Sequence, residues 1–214
     1  MFHGDKSPDV VDMAFGWYHE AYIDIDGNLY VCAKAKISSI KIKEVPDGVR
    51  EPLAKVTSLP RGTKVKQVSF TKARMFVLSQ DGKLYSFRIE EKKPDRDQMM
   101  FSKFKPSMTG ELIVDSPIHV KEIPDLKMIS AGQDHLLALD TNGKVWAMGD
   151  DTFGQCGQGA ENRQMVAPFF ERRIRKPERV MIPEKVVKIA TGYRHSLAIT
   201  EKGHIFGWGY NNMQ

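Results

Sequence analysis

Three histidines, His19, His135 and His195, each stand three residues after a glycine, Gly16, Gly132 and Gly192. Imidazole is the first side chain to consider for acid–base or metal chemistry near neutral pH. No serine-nucleophile motif, phosphate-cradling glycine loop or HExxH pattern accompanies them. The run Asp24-Ile25-Asp26-Gly27-Asn28 has the opening of a calcium loop, but such a loop needs a third oxygen ligand ahead of the glycine and a glutamate six residues after it. Position 33 is Ala33, and a two-residue Asp-Gly hairpin turn accounts for the same residues. Cys32 and Cys156 are the only cysteines, and neither has a companion at metal-ligand spacing, so no metal, no other cofactor and no disulfide is expected. The basic run Arg172, Arg173, Arg175, Lys176 and Arg179 stands out just after Phe169 and Phe170, in what reads as a connecting loop. Guanidinium groups pair bidentately with carboxylates, and a phenylalanine beside them can anchor the contact. These seven residues are the candidate partner-binding patch, for a protein with an acidic surface. A solvated charged face is the competing reading, and nucleic acid is the weaker one, because no stacking platform or groove-reading helix accompanies the run.

The elements that must position these residues repeat. Aligning the chain on Gly27, Gly82, Gly143 and Gly203, which are 55, 61 and 60 residues apart, places Gly16, Thr71, Gly132 and Gly192 eleven residues before each. His19, Arg74, His135 and His195 follow three residues later, and then Ala21/Ile23, Phe76/Leu78, Leu137/Leu139 and Leu197/Ile199. That is the strict alternation of a half-buried strand. Beyond each turn glycine comes an aliphatic residue and then an aromatic one (Tyr30, Tyr85, Trp146, Phe206), which marks a second strand. Val10/Met13, Val65/Val68, Leu126/Ile129 and Val186/Ile189 mark a third. A small antiparallel sheet of this kind cannot cover its own apolar faces, and repeats of this length describe β-propeller blades packed face to face around an axis. The histidines then occupy equivalent places in different blades and are repeat residues rather than one cluster. Leu137 and Leu197 are expected in the core, with Ser196 on the other face of its strand.

The expectation is therefore an all-β fold: a β-propeller segment of about four blades' worth of antiparallel sheets, forming one unit over 1–214 with repeats centred on 10–33, 65–88, 126–159 and 186–214. Series such as Pro117, Val120, Ile123-Pro124 and Pro177, Val180, Ile182-Pro183 suit outer edge strands, where proline is tolerated. Residues 89–116 are crowded with charge and fit no repeat offset, so they read as an exposed excursion from the second blade.

The residues A-G-x-x-H-x-L-A-L-x-x-x-G-x-V-W-x-x-G at 131–149, F-G-Q-C-G-Q-G at 153–159 and A-T-G-Y-R-H-S-L-A-I-T-E-K-G-H-I-F-G-W-G at 190–209 resemble the repeats of the regulator of chromosome condensation family. Members of that family fold as propellers that usually have seven blades. The first copy keeps Gly16, His19 and Gly27 but has Val31-Cys32-Ala33 where the family closes on Trp-Gly. The second has Thr71, Arg74 and Phe87-Arg88 in place of Gly, His and Trp-Gly. The resemblance implies an incomplete part of a seven-bladed ring, and it places Cys156 where the family carries a leucine, as a buried thiol serving as a small apolar residue. It also likens Phe2-His3-Gly4-Asp5 to the end of a repeat. Because some members are guanine-nucleotide exchange factors that insert a loop or hairpin into a small GTPase, exchange activity is an alternative, with the 88–116 segment the only candidate wedge.

At 214 residues, with 41% hydrophobic, 28% charged and 9% aromatic residues, the chain has the composition of one globular domain. No run approaches the ~18 apolar residues of a membrane helix, and the opening residues lack the apolar core of a signal peptide. An intracellular place is expected, in the cytoplasm, including the cytoskeleton, or in the nucleus. The net charge of +5 and isoelectric point near 9.1 admit an acidic partner but fall short of a dedicated nucleic-acid binder. The expected function is a non-enzymatic protein–protein interaction or scaffold module acting as a subunit of a larger assembly. The exchange factor, and chromatin or nucleic-acid association through basic loops, stand as alternatives.

Overall fold

The computed structural model describes residues 9–16, 19–33, 53–92, 111–114, 116–159 and 172–211, and every regular element among them is a strand. The first blade is β1 (Val10–Phe15), β2 (His19–Asp24), β3 (Leu29–Ala33) and β4 (Leu53–Lys55), hydrogen-bonded in that order. The second is β5 (Val65–Phe70), β6 (Arg74–Ser79) and β7 (Leu84–Lys92), with both β8 (Glu111–Val114) and β9 (Ile118–Val120) paired to β7. The third is β10 (Leu126–Ala131), β11 (His135–Asp140), β12 (Val145–Asp150) and β13 (Arg173–Val180), and the fourth is β14 (Val186–Thr191), β15 (His195–Thr200) and β16 (Ile205–Gly209). All the pairings are antiparallel. The all-β propeller segment of four blades is thus the fold observed. Residues 1–8, with the repeat-like Phe2-His3-Gly4-Asp5, lie outside the described residues.

One turn chemistry recurs in every blade. The second strand ends at Asp24, Ser79, Asp140 or Thr200, whose side-chain oxygen accepts the backbone N–H four residues on, from Asn28 (2.7 Å), Lys83 (3.0 Å), Lys144 (2.8 Å) and His204 (3.2 Å). The turn glycine donates its N–H back to the carbonyl of that same strand-end residue and has a φ between +75° and +84°, a region that costs other residues dearly. Asp24 N–H also reaches Asn28 O at 3.1 Å, so three residues connect the strands rather than the expected two. The Asp24 carboxylate is committed to this turn, since Asn28 Nδ2 (2.7 Å) and Tyr30 OH (3.1 Å) donate to its second oxygen. Burial pushes that carboxyl up, and these hydrogen bonds outweigh it and hold it below the usual carboxylate range.

Blades are joined by an equally regular device. The first residue of each new blade, Val65, Leu126 or Val186, donates its N–H at 2.9 Å to the carbonyl of the preceding blade's turn glycine, Gly27, Gly82 or Gly143. Successive first strands touch one another and cross-link through side chains: Gln67 Nε2 donates to Ile129 O and Gln67 Oε1 accepts from Ile129 N–H, both at 2.9 Å. Three apolar clusters fill the three interfaces. Ala21, Ile23, Met75 and Val77 meet between blades one and two; Phe76, Leu78, Leu136 and Ala138 between two and three; Leu137, Leu139, Val186 and Ala198 between three and four.

Alternation along each second strand therefore assigns one set of side chains to the preceding blade and the other to the following one. Leu137 points at blade four and is fully buried, as expected, whereas Leu197 is 42% exposed and Ser196 is fully buried. The expectation for β15 is corrected here. Its Leu197 face has no sheet packed on it among the described residues, and Ser196 faces blade three. The opposite end has the same character, with Val11, Met13 and Phe15 of β1 exposed.

The 89–116 segment begins and ends in a ladder. Ile89, which is buried, pairs with Val114, and Lys92 pairs with Glu111. Residues 93–110 lie outside the described residues.

Candidate partner-binding site

The three repeat histidines begin strands of three different blades, His19 in β2, His135 in β11 and His195 in β15. His135 is fully buried, with Nε2 2.9 Å from Ser196 Oγ. Ser196 Oγ in turn donates to Gln155 O at 2.8 Å, which uses its one proton, so His135 must carry its own proton on Nε2 and donate. Nδ1 has no partner among the described residues. The ring folds back over Gly132, where an added Cβ would lie 2.3 Å from it, and Gly132 N–H meets His135 O at 2.9 Å. The glycine and histidine are thus one packing unit. His195 repeats it, with its ring 2.2 Å from a Cβ built on Gly192, but is exposed. The side chain of His19 lies outside the described residues.

Burial lowers the pKa of His135 from 6.5 to about 4, opposed by nearby Asp150 and reinforced by His195. The unfolded chain therefore binds the proton first as pH falls, so stability is full above about pH 6.5 and declines toward pH 4. In thermal melts across that range the wild type should lose more than a His135→Gln variant, whose amide can still donate to Ser196. Parallel curves would remove His135 as the source. The Cys156 thiol is likewise held in its neutral form, its pKa pushed up by burial and by Asp151 and Asp150, which keeps it unreactive.

The basic run is not a loop. Arg173 to Arg179 lie in β13, the outer strand of the third blade, paired through Asp150↔Arg173 and Trp146↔Arg179. Arg173, Arg175, Lys176 and Arg179 are exposed, while Ile174 and Val180 pin the strand to the core. Arg172 is drawn away from the patch, its Nε 3.3 Å from Oδ2 of the buried Asp151. Lys176 Nζ stands 4.0 Å from Glu122 with both side chains exposed, a contact worth little. Phe169 and Phe170 lie outside the described residues.

Two further arginines join this patch, and reading them only as repeat departures missed them. Arg74 stands where other blades carry histidine, and Arg88 faces it across the β6–β7 ladder, where Gly149 faces His135 and Gly209 faces His195. Together with Arg173, Arg175 and Lys176 they line a groove of about 740 Å³ between blades two and three. Arg74 Nη1 donates to Ser86 Oγ at 2.9 Å. Burial, and then the neighbouring guanidiniums of Arg173 and Arg88, hold its pKa below the usual arginine value. The sequence signal was two cations at paired repeat positions that elsewhere hold a histidine opposite a glycine or Ala33.

Models of the regulator of chromosome condensation (RCC1) repeat match residues 142–199, and in a second form 128–155 and 186–214. The ultraviolet-B receptor of Arabidopsis thaliana is 28% identical over 200 residues, which is 92% of this chain and 40% of that protein. The secretion-regulating guanine nucleotide exchange factor of Bos taurus is 36% identical over 85 residues, 39% of this chain and 16% of that protein. The chain thus spans less than half the length of these curated relatives. Among solved structures, human WBSCR16 superposes with a TM-score of 0.65 at 20% identity, covering 98% of this chain and 50% of that one. Yeast RCC1 (Prp20) bound to Kap60 gives 0.64 at 20% identity, with 97% and 45% covered. Both likenesses bear on the fold. Among the described residues, no helix is long and apolar enough to cross a membrane.

Proposed function

The chain carries repeats of the regulator of chromosome condensation family, and from that premise we propose that it works as a non-enzymatic protein-interaction module, a subunit of a larger assembly that grips an acidic partner surface. The observation that carries this reading is the row of Arg173, Arg175, Lys176 and Arg179 exposed on a strand whose Ile174 and Val180 are buried. A rigid strand holds guanidinium forks ready for carboxylates at little ordering cost. Phe169 and Phe170 are the proposed apolar anchor beside it. One relative of this fold was solved bound to a protein, Kap60, which supports the use of such a scaffold for protein recognition. Arg172 belongs to the support rather than the contact, because reversing its charge would set a second carboxylate against buried Asp151.

A double variant, Arg175→Glu with Arg179→Glu, should bind the purified partner at least about tenfold more weakly with an unchanged melting temperature. Undiminished binding would remove the strand from the contact. A second reading, exchange factor for a small GTPase, is favoured by the β7–β8 ladder, an extra hairpin arm on the second blade. Its test is nucleotide release from a panel of small GTPases.

A further inference from the structure

The junction between blades two and three differs from its neighbour at one place. Between blades three and four, the segment after β12 folds into the gap. Gln155 O accepts from Ser196 Oγ and from Trp208 Nε1, at 2.8 and 2.9 Å. Cys156 is fully buried, its N–H donating to Asp151 Oδ1 at 2.8 Å. Gly157 lies so close to Trp208 and Val180 that a Cβ would stand 2.9 Å from each. In blade two, β7 instead runs on into its ladder with β8, and the corresponding space remains as the groove.

Among the described residues, five cationic side chains line that groove against two carboxylates, Glu122 and Asp134. Arg74 and Arg88 sit directly opposite one another in the β6–β7 register, where like charges repel. Arg74 is half-buried, and the one hydrogen bond of its guanidinium among the described residues goes to a neutral hydroxyl, Ser86 Oγ. A partly desolvated cation beside other cations and satisfied by a neutral acceptor destabilises the fold. An anion seated among the guanidiniums reverses that sign.

We propose that the groove between the second and third blades holds an extended acidic segment of the partner protein, with carboxylates on the Arg74, Arg88 and Arg173 guanidiniums. This rests on the interaction-module reading and names what the basic face recognises. Three features favour a carboxylate-bearing peptide over phosphate. The groove already holds Glu122 and Asp134, which repel a dianion more than single charges. No helix N-terminus stands at it among the described residues to supply convergent N–H donors. Its cations are interspersed with Ile118, Val120, Met148 and Ile174, which suits an extended chain whose acidic and apolar side chains alternate.

The test uses the full chain and a fluorescein-labelled peptide of alternating Glu and Leu, read by anisotropy. Arg74→Gln with Arg88→Gln should weaken binding at least about tenfold. Ile118→Glu, at a side chain 61% exposed on the groove rim, should do so independently with an unchanged melting temperature. No binding by the wild type, binding by both variants as tight as by the wild type, or displacement by pyrophosphate as effective as by unlabelled peptide, would overturn the proposal. If the groove variants still hold the purified partner while Arg175→Glu/Arg179→Glu loses it, the groove is excluded and the interaction reading stands. If all the variants hold it, the basic-strand reading itself fails.

Discussion

Gly149→Ala should destabilise the protein by about 3 to 5 kcal/mol, from backbone strain and close contact together. Gly149 has a φ of +116°, and a Cβ there would lie 2.4 Å from Asp134 O and 2.7 Å from His135 Cα. Those neighbours are backbone atoms of the turn that sets His135 over Gly132, so they cannot rotate away as a side-chain end can. Gly203 isolates the conformational part. Its φ is +82° and nothing lies within 4 Å of an added Cβ, so Gly203→Ala should cost only about 1 to 2 kcal/mol. Urea titrations of both variants read the difference as a shift in midpoint at constant slope. Equal losses would mean that the close approach of the two strands at His135 is not rigid.

The blade was legible because its period, its turn glycines and its alternation are local features that each copy restates. One oddity was legible only afterwards. Val65 and Val68, Leu126 and Ile129, and Val186 and Ile189 are buried together although an odd spacing should send them to opposite faces of a strand. The ladder register shifts between Val65 and Gln67, Leu126 and Met128, and Val186 and Lys188, a β-bulge in each first strand that restores both residues to the core. The basic patch was legible in part. The basic run marked Arg172, Arg173, Arg175, Lys176 and Arg179 together, but the ion pair of Arg172 with the buried Asp151 is a tertiary fact. Arg74 lies about a hundred residues from Arg173 in sequence, and only the stacking of blades two and three brings them to one groove. Arg74 and Arg88 were visible as departures from the repeat, and a departure shared by two paired positions was the available clue.

Leu137→Ala and Leu197→Ala, which the repeat makes equivalent, should have unequal effects. Leu137 is fully buried in the interface with blade four, packed in the cluster with Leu139, Val145 and Ala147. Truncating it leaves a cavity between two sheets that cannot close without moving a whole blade, so the expected loss is about 2 to 5 kcal/mol. Leu197 projects from the same position of the next blade, but its side is uncovered among the described residues and it remains 42% exposed. Its loss should stay near 1 kcal/mol. Ser196 inverts the usual ranking. It is fully buried and links His135 to Gln155 O, so Ser196→Ala leaves the His135 Nε2–H without an acceptor and should cost about 1 to 3 kcal/mol, more than Leu197→Ala. The chemical-denaturation order Leu137, then Ser196, then Leu197 checks the assignment of faces. A loss at Leu197 as large as at Leu137 in this same chain would mean that another surface covers the β15 face in solution, and a concentration-dependent midpoint for the wild type, absent in Leu197→Ala, would identify that surface as a second copy.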